Sequence, residues 1–278
     1  MGNGDTEGKG KVVLITGASS GIGKACAEHL HRRGYRVYGT TRREPGELPA
    51  FAHIMIRMDV DDDDSVERGI RLILASEGRL DVVVNNAGTG ISGAVEDTRL
   101  DEARAQFETN FFGVLRVCRQ ALPVMRAQGA GRIINIGSVA GLIGVPFNGL
   151  YCASKFALEG LSEALRMEAK PHGIHVSLVE PGDINTSMSA RSLETLESAS
   201  NPAYRINHAA VREVMARDEK EGPPPSVVAK LVEDIIRAPS PRLRYRVGPF
   251  MEKAAVVLKT LLPARLFEWG LMQYYRVR

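Results

Sequence analysis

The sequence predicts an α/β protein built on a doubly wound parallel sheet. Short apolar runs alternate with helical stretches from Lys11 to about Gly182, the pattern of parallel strands joined by crossover helices on both faces. Five of the runs end in marked segments: Gly17–Gly23, Asp59, Asn86–Gly88, Ser138 and Pro181–Gly182. Ligands of such sheets bind beyond the carboxyl ends of the strands. Ordinary turn chemistry explains one or two such coincidences better than five.

Each element has its own signal. Lys11–Thr16 is an apolar run closed by glycine and reads as a buried strand. Ile22–Arg33 has helical spacing and stops at Gly34, a residue suited to the left-handed cap of a helix. Tyr35–Thr40 and Ile54–Met58 are the next strands, and the acidic run Asp59–Asp64 opens a helix through Leu74. Leu80–Val84 leads into Asn85-Asn86-Ala87-Gly88. A long helical segment covers Leu100–Arg126. Arg132–Ile136 ends near Ser138, a helix runs from about Leu150 to Lys170, and Ile174–Val179 ends at Glu180-Pro181-Gly182.

Beyond Asp183 the alternation breaks. Ile184–Gly222 is polar and mixed, lies beside the expected mouth of the sheet, and is a candidate substrate lid. Pro223-Pro224-Pro225 is a stiff connector before a helix from Ser226 to Arg237. Arg242–Val247 alternates strictly and reads as an edge strand, with three arginines on one face protecting the edge. The expected organisation is a polar tail over 1–10, one catalytic domain over 11–248 and a C-terminal helical extension over 249–278.

Composition narrows the function classes. A formal charge of +3 without a basic block argues against nucleic acid. Three scattered cysteines, Cys26, Cys118 and Cys152, form no disulfide framework or zinc spacing and fit a reducing, cytoplasmic setting. Cys152 beside Tyr151 reads as a packing residue before a nucleophile. The acidic run lacks the spacing of a calcium loop, so no metal is expected. His29 and His31 face different ways on their helix and are no metal pair. The apolar tail Phe250–Met272 is interrupted by Lys253, Lys259, Pro263, Arg265 and Glu268, too broken to span a bilayer. It reads as packing on the core or on a subunit, with a weak membrane-surface contact through Phe267 and Trp269 as the sharper alternative.

Gly17, Gly21 and Gly23 lie between a strand and a helix, with Ser19 and Ser20 as hydroxyl donors and Ile22 opening the helix. Glycine permits a tight turn and close backbone approach, and the helix N-terminus offers free N–H groups to a pyrophosphate. An acidic residue at the end of the second strand would grip adenosine ribose hydroxyls. Thr40-Thr41-Arg42-Arg43 stands there instead. A guanidinium binds a 2′-phosphate that a carboxylate would repel. NADP(H) is therefore the expected cofactor, with Arg42 its main anchor, Thr41 beside it, and Asp59 and Val60 near the adenine.

Tyr151 and Lys155 are four residues apart on one helix, which places their side chains about 5–6 Å apart at their bases. A free phenol titrates near ~10. A neighbouring ammonium favours its ionised form, so a lowered Tyr151 pKa and an acid/base role are expected.

Thr16-Gly17-Ala18-Ser19-Ser20-Gly21-Ile22-Gly23, Asn85-Asn86-Ala87-Gly88, Asn110, Ser138, Tyr151-Cys152-Ala153-Ser154-Lys155 and Pro181-Gly182 together resemble the short-chain dehydrogenase/reductase family, a Rossmann-like fold. The resemblance is close from Lys11 to Met188 and looser to Gly248. It implies that Tyr151 exchanges a proton with a carbonyl or alcohol oxygen that Ser138 hydrogen-bonds. Lys155 would hold the nicotinamide ribose and depress the Tyr151 pKa, and Asn110 would order a water linked to Lys155. Asn86, Ala87 and Gly88 would line the cofactor cleft, and Pro181, Gly182, Ile184 and Thr186 would seat the nicotinamide amide. Strings around Asn110-Phe111-Phe112-Gly113 and Lys155–Gly160 look most like 17β-hydroxysteroid and retinol dehydrogenases. A small hydrophobic substrate is implied, a steroid-, retinoid- or lipid-like carbonyl or alcohol, walled by Val145, Phe147, Leu150 and Met188. A homodimer or homotetramer through the Leu100–Arg126 and Cys152–Lys170 helices is implied as well. The competing function is an NADPH-binding regulatory sensor without turnover, which has no need of the Asn110, Ser138, Tyr151 and Lys155 set.

Overall fold

The structure is a computed structural model that describes residues 10–44, 52–186, 192–195, 197–198 and 200–278. Strands β1 (Val12–Ile15), β2 (Arg36–Thr41), β3 (Ile54–Arg57), β4 (Val82–Asn85), β6 (Gly131–Ile136), β7 (Ile174–Pro181) and β9 (Arg244–Val247) form one sheet. Its order is β3-β2-β1-β4-β6-β7-β9, and every pair is parallel. Direction of travel along the sheet reverses between the adjacent β1 and β4, which opens a crevice beyond their carboxyl ends. β5 (Ile91–Ser92) and β8 (Leu193–Glu194) pair separately, so the lid segment adds a short strand to the chain that leaves β4.

The helices are α1 (Gly21–Arg32), α2 (Asp63–Glu77), α3 (Leu100–Phe107), α4 (Gly113–Gln128), α5 (Gly149–Ala169), α6 (Arg205–Glu221), α7 (Ser226–Arg237), α8 (Phe250–Leu261) and α9 (Ala264–Tyr274). Two apolar cores sandwich the sheet. One is built on Leu14, Val83, Ile133 and Val176 under α2, α4 and α5; the other on Val13, Ile15, Val84 and Ile134 under α1 and α7. Strands wholly buried on both faces are why the sequence shows apolar runs there and not alternation.

Local chemistry fixes the ends. The Asp62 carboxylate accepts the Ser65 N–H at 2.6 Å and caps α2, which closes at left-handed Gly78. The acidic run is thus a helix entry, and the helix extends beyond Leu74 to Glu77. α1 and α7 are fastened where His29 and Arg33 reach Glu233 at 2.6 and 2.9 Å, a partnership that sequence spacing does not show.

Two expectations are refined. The segment over Leu100–Arg126 is helical throughout but not uniformly α: a π-turn spans Glu108–Phe112, an inserted residue of the kind found at functional sites. The edge-strand arginines do more than shield an edge. Arg244 and Arg246 lie 3.3 and 2.9 Å from Glu180, whose carboxylate is fully buried, and Arg244 also reaches Glu159 at 2.9 Å. A buried carboxylate left without such partners would be strongly destabilising. Arg242 falls outside the strand and lies over the Tyr245 ring.

Candidate active site

Thr16 and Asn86 join the two strands that flank the crevice. The Thr16 hydroxyl accepts the backbone N–H groups of Asn86 and Ala87, each at 2.9 Å, and the Asn86 amide donates to the Thr16 carbonyl at 2.9 Å. Gly17 follows with φ +65°, and a Cβ on it would stand 2.9 Å from the Ala87 Cα. Gly21 has φ +55°, and a Cβ on Gly23 would collide with the Gly17 carbonyl and the Asn86 amide. The turn therefore requires glycine where the sequence has it. It delivers the chain to α1, whose N-cap is Ser20 and whose first turn carries no acidic residue. Free N–H groups without a competing carboxylate suit a pyrophosphate. Ser19, Ser20, Gly21 and Ile22 are all partly exposed there.

The end of β2 lies against this turn: Ala18 N–H donates to the Thr40 carbonyl at 2.9 Å. Thr41 is buried, while Arg42 and Arg43 are exposed; burial pushes the Asp61 carboxyl up, opposed by its Thr109 hydrogen bond and by the charge of Arg42. Asp59, at the end of β3, accepts the Asp61 N–H at 3.1 Å, and its own N–H donates to Ser65. Val60 is buried and would be met by a Cβ on Gly113 at 2.8 Å. Arg42, Asp59 and Val60 thus follow the ends of the paired strands β2 and β3.

Beyond β6, Ser138 caps a short turn, its Oγ accepting the Ala140 N–H at 3.1 Å. Gly141 in that turn comes so close to α5 that a Cβ would stand 3.0 Å from the Lys155 carbonyl. This approach brings the Ser138 hydroxyl close enough to the phenol of Tyr151 to favour its ionised form. Tyr151 is partly exposed on its ring, whereas Lys155 is buried.

The electrostatics correct the expected acidity. Burial pushes Tyr151 up to about 12, opposed by the Ser138 hydrogen bond and assisted by Cys152 and Asp183. Burial also pulls Lys155 down to about 8. The Lys155 ammonium donates to the Ile136 carbonyl at 2.9 Å and lies 5.8 Å from the centre of the Tyr151 ring. Desolvation by burial therefore dominates at the phenol. Cys152 is buried and inert, its thiol pushed up by burial.

Asn110 sits in the π-turn and is 1% exposed. Its amide donates to the Thr89 carbonyl and the Ser154 hydroxyl at 3.0 and 3.1 Å, and its carbonyl accepts the Thr89 N–H at 2.9 Å. Ser154 in turn donates to the Tyr151 carbonyl at 2.7 Å. The side chain thus ties the strand exit after Gly88 to α5. Ser154 is a link that the Tyr-to-Lys motif contains but its spacing does not announce.

At the carboxyl end of β7, Pro181 closes the strand and Gly182 follows it. The Ile184 side chain is buried in the α1–α7 core. Thr186 donates to Glu219 of α6 at 2.9 Å and abuts Gly21. On the substrate side, Val145, Phe147 and Leu150 are partly exposed. Phe147 has φ +59°, unusual for a bulky residue. Its carbonyl accepts the Gly93 N–H at 2.8 Å, and its ring lies 5.4 Å from His208 and 6.2 Å from Tyr204. His208 meets Ser92 at 3.0 Å. A cavity of about 280 Å³ opens beside α6, lined by Ser92, Asn148, Ser192, Arg212, Met215 and Ala216 among others. Met188 and the polar tail over 1–9 lie outside the described residues.

A glycine turn at the sheet crevice, opposite a serine–tyrosine pair, defines a nucleotide-binding oxidoreductase of Rossmann type. The comparisons agree. A family model described as short chain dehydrogenase matches residues 11–197. A 3-ketodihydrosphingosine reductase of Bacteroides thetaiotaomicron is 38% identical over 96% of this chain and 99% of its own. The human 17-beta-hydroxysteroid dehydrogenase type 1 is 36% identical over 84% of this chain and 76% of its own. A short-chain dehydrogenase structure from Streptomyces avermitilis superposes with a TM-score of 0.79 at 34% identity, covering 95% of this chain and 97% of its own. The chain belongs to the short-chain dehydrogenase family.

Proposed function

We propose that the chain is an NADPH-dependent reductase of a long-chain, lipid-like ketone, with Tyr151 as proton donor. The observation that carries this reading is the placement of Tyr151 and Lys155 one turn apart on α5, the ammonium 5.8 Å from the centre of the phenol ring, beside the Ser138 turn that follows β6. A phenol beside an ammonium and a hydroxyl is placed to give its proton to a carbonyl oxygen.

The glycine turn fits a dinucleotide: the close approach of Gly17 to Ala87 and of Gly23 to Gly17 sets its shape, and α1 starts there with no acidic residue in its first turn. Gly17, Ser19, Ser20, Gly21, Ile22 and Gly23 would hold the pyrophosphate, and Arg42 with Thr41 the 2′-phosphate. Asp59 and Val60 would flank the adenine. Asn86, Ala87, Gly88, Pro181, Gly182, Thr186 and the Ile184 backbone would seat the nicotinamide end. The bound cofactor supplies the hydride. The chain supplies the rest. Tyr151 Oη gives its proton to the carbonyl oxygen, Ser138 Oγ hydrogen-bonds that oxygen, and the Lys155 ammonium places positive charge beside them. Asn110 and Ser154 hold the start of α5 in register with the strand exit at Thr89.

Apolar character on the substrate side supports a lipid-like ketone. Val145, Phe147 and Leu150 precede Tyr151. Val139 and Ile143, just after Ser138, pack with Leu142, Phe267 and Leu271. The sphingoid-base reductase also matches this chain from end to end, C-terminal extension included. The test is NADPH oxidation with a panel comprising a long-chain 3-ketone, a 17-ketosteroid, retinal and a short ketone. Turnover fastest on the long-chain ketone is expected. Tight NADPH binding without turnover on any of them would favour a sensor.

A further inference from the structure

Among the described residues, half of the large apolar side chains that stand exposed lie in the α8–α9 hairpin: Phe250, Met251, Val257, Leu258, Leu261, Leu266, Trp269, Met272 and Tyr274. Elsewhere such residues are scattered singly, which is ordinary for a folded surface; a cluster on one supersecondary unit marks an interaction face. The hairpin is well anchored. Its inner side packs Val256, Phe267 and Leu271 against Val139, Leu142 and Ile143. Lys259 donates to the Leu142 carbonyl at 2.5 Å, and Tyr274 donates to Asp218 of α6 at 2.7 Å.

Charge on the outer side has one predominant sign. Lys253 stands one helical turn from Phe250 and Val257, Arg265 one turn from Trp269, and Arg276 and Arg278 follow. Glu268 and Glu213, the latter 3.6 Å from Arg276, are the opposing outward acids, because Glu252 is turned inward to Asp183. No helix among the described residues is long and apolar enough to cross a membrane. Apolar side chains interleaved with basic ones on a short exposed helix pair match the interface of an anionic bilayer, where acyl chains take the former and headgroups attract the latter.

We propose that the outer face of the α8–α9 hairpin docks on an anionic lipid surface. Its inner face adjoins the turn that carries Ser138, so the docked protein would present its substrate side to the membrane. The proposal stands apart from the catalytic reading, because docking is read without turnover.

Trp269 is the sole tryptophan of the chain and lies on this face, 61% exposed, so its emission reports contact directly. The full chain is titrated with vesicles of equal parts phosphatidylcholine and phosphatidylglycerol, and separately with phosphatidylcholine alone. The expected result is a blue shift of Trp269 emission and co-sedimentation with the anionic vesicles, reversed by high salt and much weaker on the neutral ones. The double variant Met251→Glu, Leu261→Glu should lose binding by about tenfold or more while reducing a short, soluble ketone at the parental rate. Absence of binding to anionic vesicles, or binding that the double variant leaves unchanged, overturns the proposal. So does sedimentation showing that the variant dissolves a parental oligomer without vesicles, since the face would then belong to a second copy of the chain.

Discussion

The carboxylate of Glu252 accepts the backbone N–H of Asp183 at 2.9 Å, and so ties the C-terminal hairpin to the loop that follows Gly182. It fills the space beside Gly182 that any Cβ there would need. Two carboxyl groups are thereby brought together at the edge of the site, with Tyr275 nearby and Asp218 contributing like charge. Such a pair is tolerated only while it holds a proton.

This geometry has a pH signature. Burial first, and then the Glu252 charge, push Asp183 up to about 8, against an ordinary aspartate near ~3.9. Between those values the folded chain keeps a proton that the unfolded chain has released, so stability falls as pH rises through the window and levels off above it. Asp183→Asn removes the titration. Its melting temperature should match the parent near about pH 4 and exceed it increasingly towards about pH 9. An equal offset at every pH would show that the pair does not share a proton.

Cofactor choice rests on the end of β2. Arg42 is exposed beside the glycine turn, and no acidic residue stands at that strand end. A charge-assisted hydrogen bond is worth about 1.5–3 kcal/mol. Arg42→Asp should therefore weaken NADPH binding by roughly 10- to 100-fold and leave NADH binding equal or tighter. Fluorescence titration with both nucleotides checks this.

Glycine is demanded at one position and merely present at another. Gly23→Ala should cost roughly 1–3 kcal/mol through overpacking against Gly17 and Asn86 and lose most NADPH-induced stabilisation. Gly160, in α5, has open space where a Cβ would go. Gly160→Ala should gain about 0.5–1 kcal/mol by stiffening the helix. Thermal melts of both variants, with and without NADPH, test the contrast.

What the sequence reveals and what it hides divide along physical lines. Buried strands, the glycine turn and the Tyr151–Lys155 spacing are local signals, and the parallel sheet and its crevice follow from them. The π-turn at Glu108–Phe112 escapes periodicity because one inserted residue scarcely alters an apolar stripe. Glu252 with Asp183, Glu219 with Thr186, and Arg244 with Glu159 are 69, 33 and 85 residues apart, pairings set by tertiary packing alone. The Tyr151 acidity moves opposite to expectation for the same reason. Spacing shows the neighbouring ammonium, whereas the desolvation of the phenol and the Ile136 carbonyl that engages Lys155 exist only in the folded chain.

Proton transfer from Tyr151 is tested most directly by measuring NADPH-dependent ketone reduction and NADPH affinity side by side in Tyr151→Phe. Removal of the hydroxyl should lower kcat by about 10²–10⁴-fold while NADPH binds as tightly as to the parent. Parental turnover by Tyr151→Phe would contradict the assignment and move the proton donor to another group.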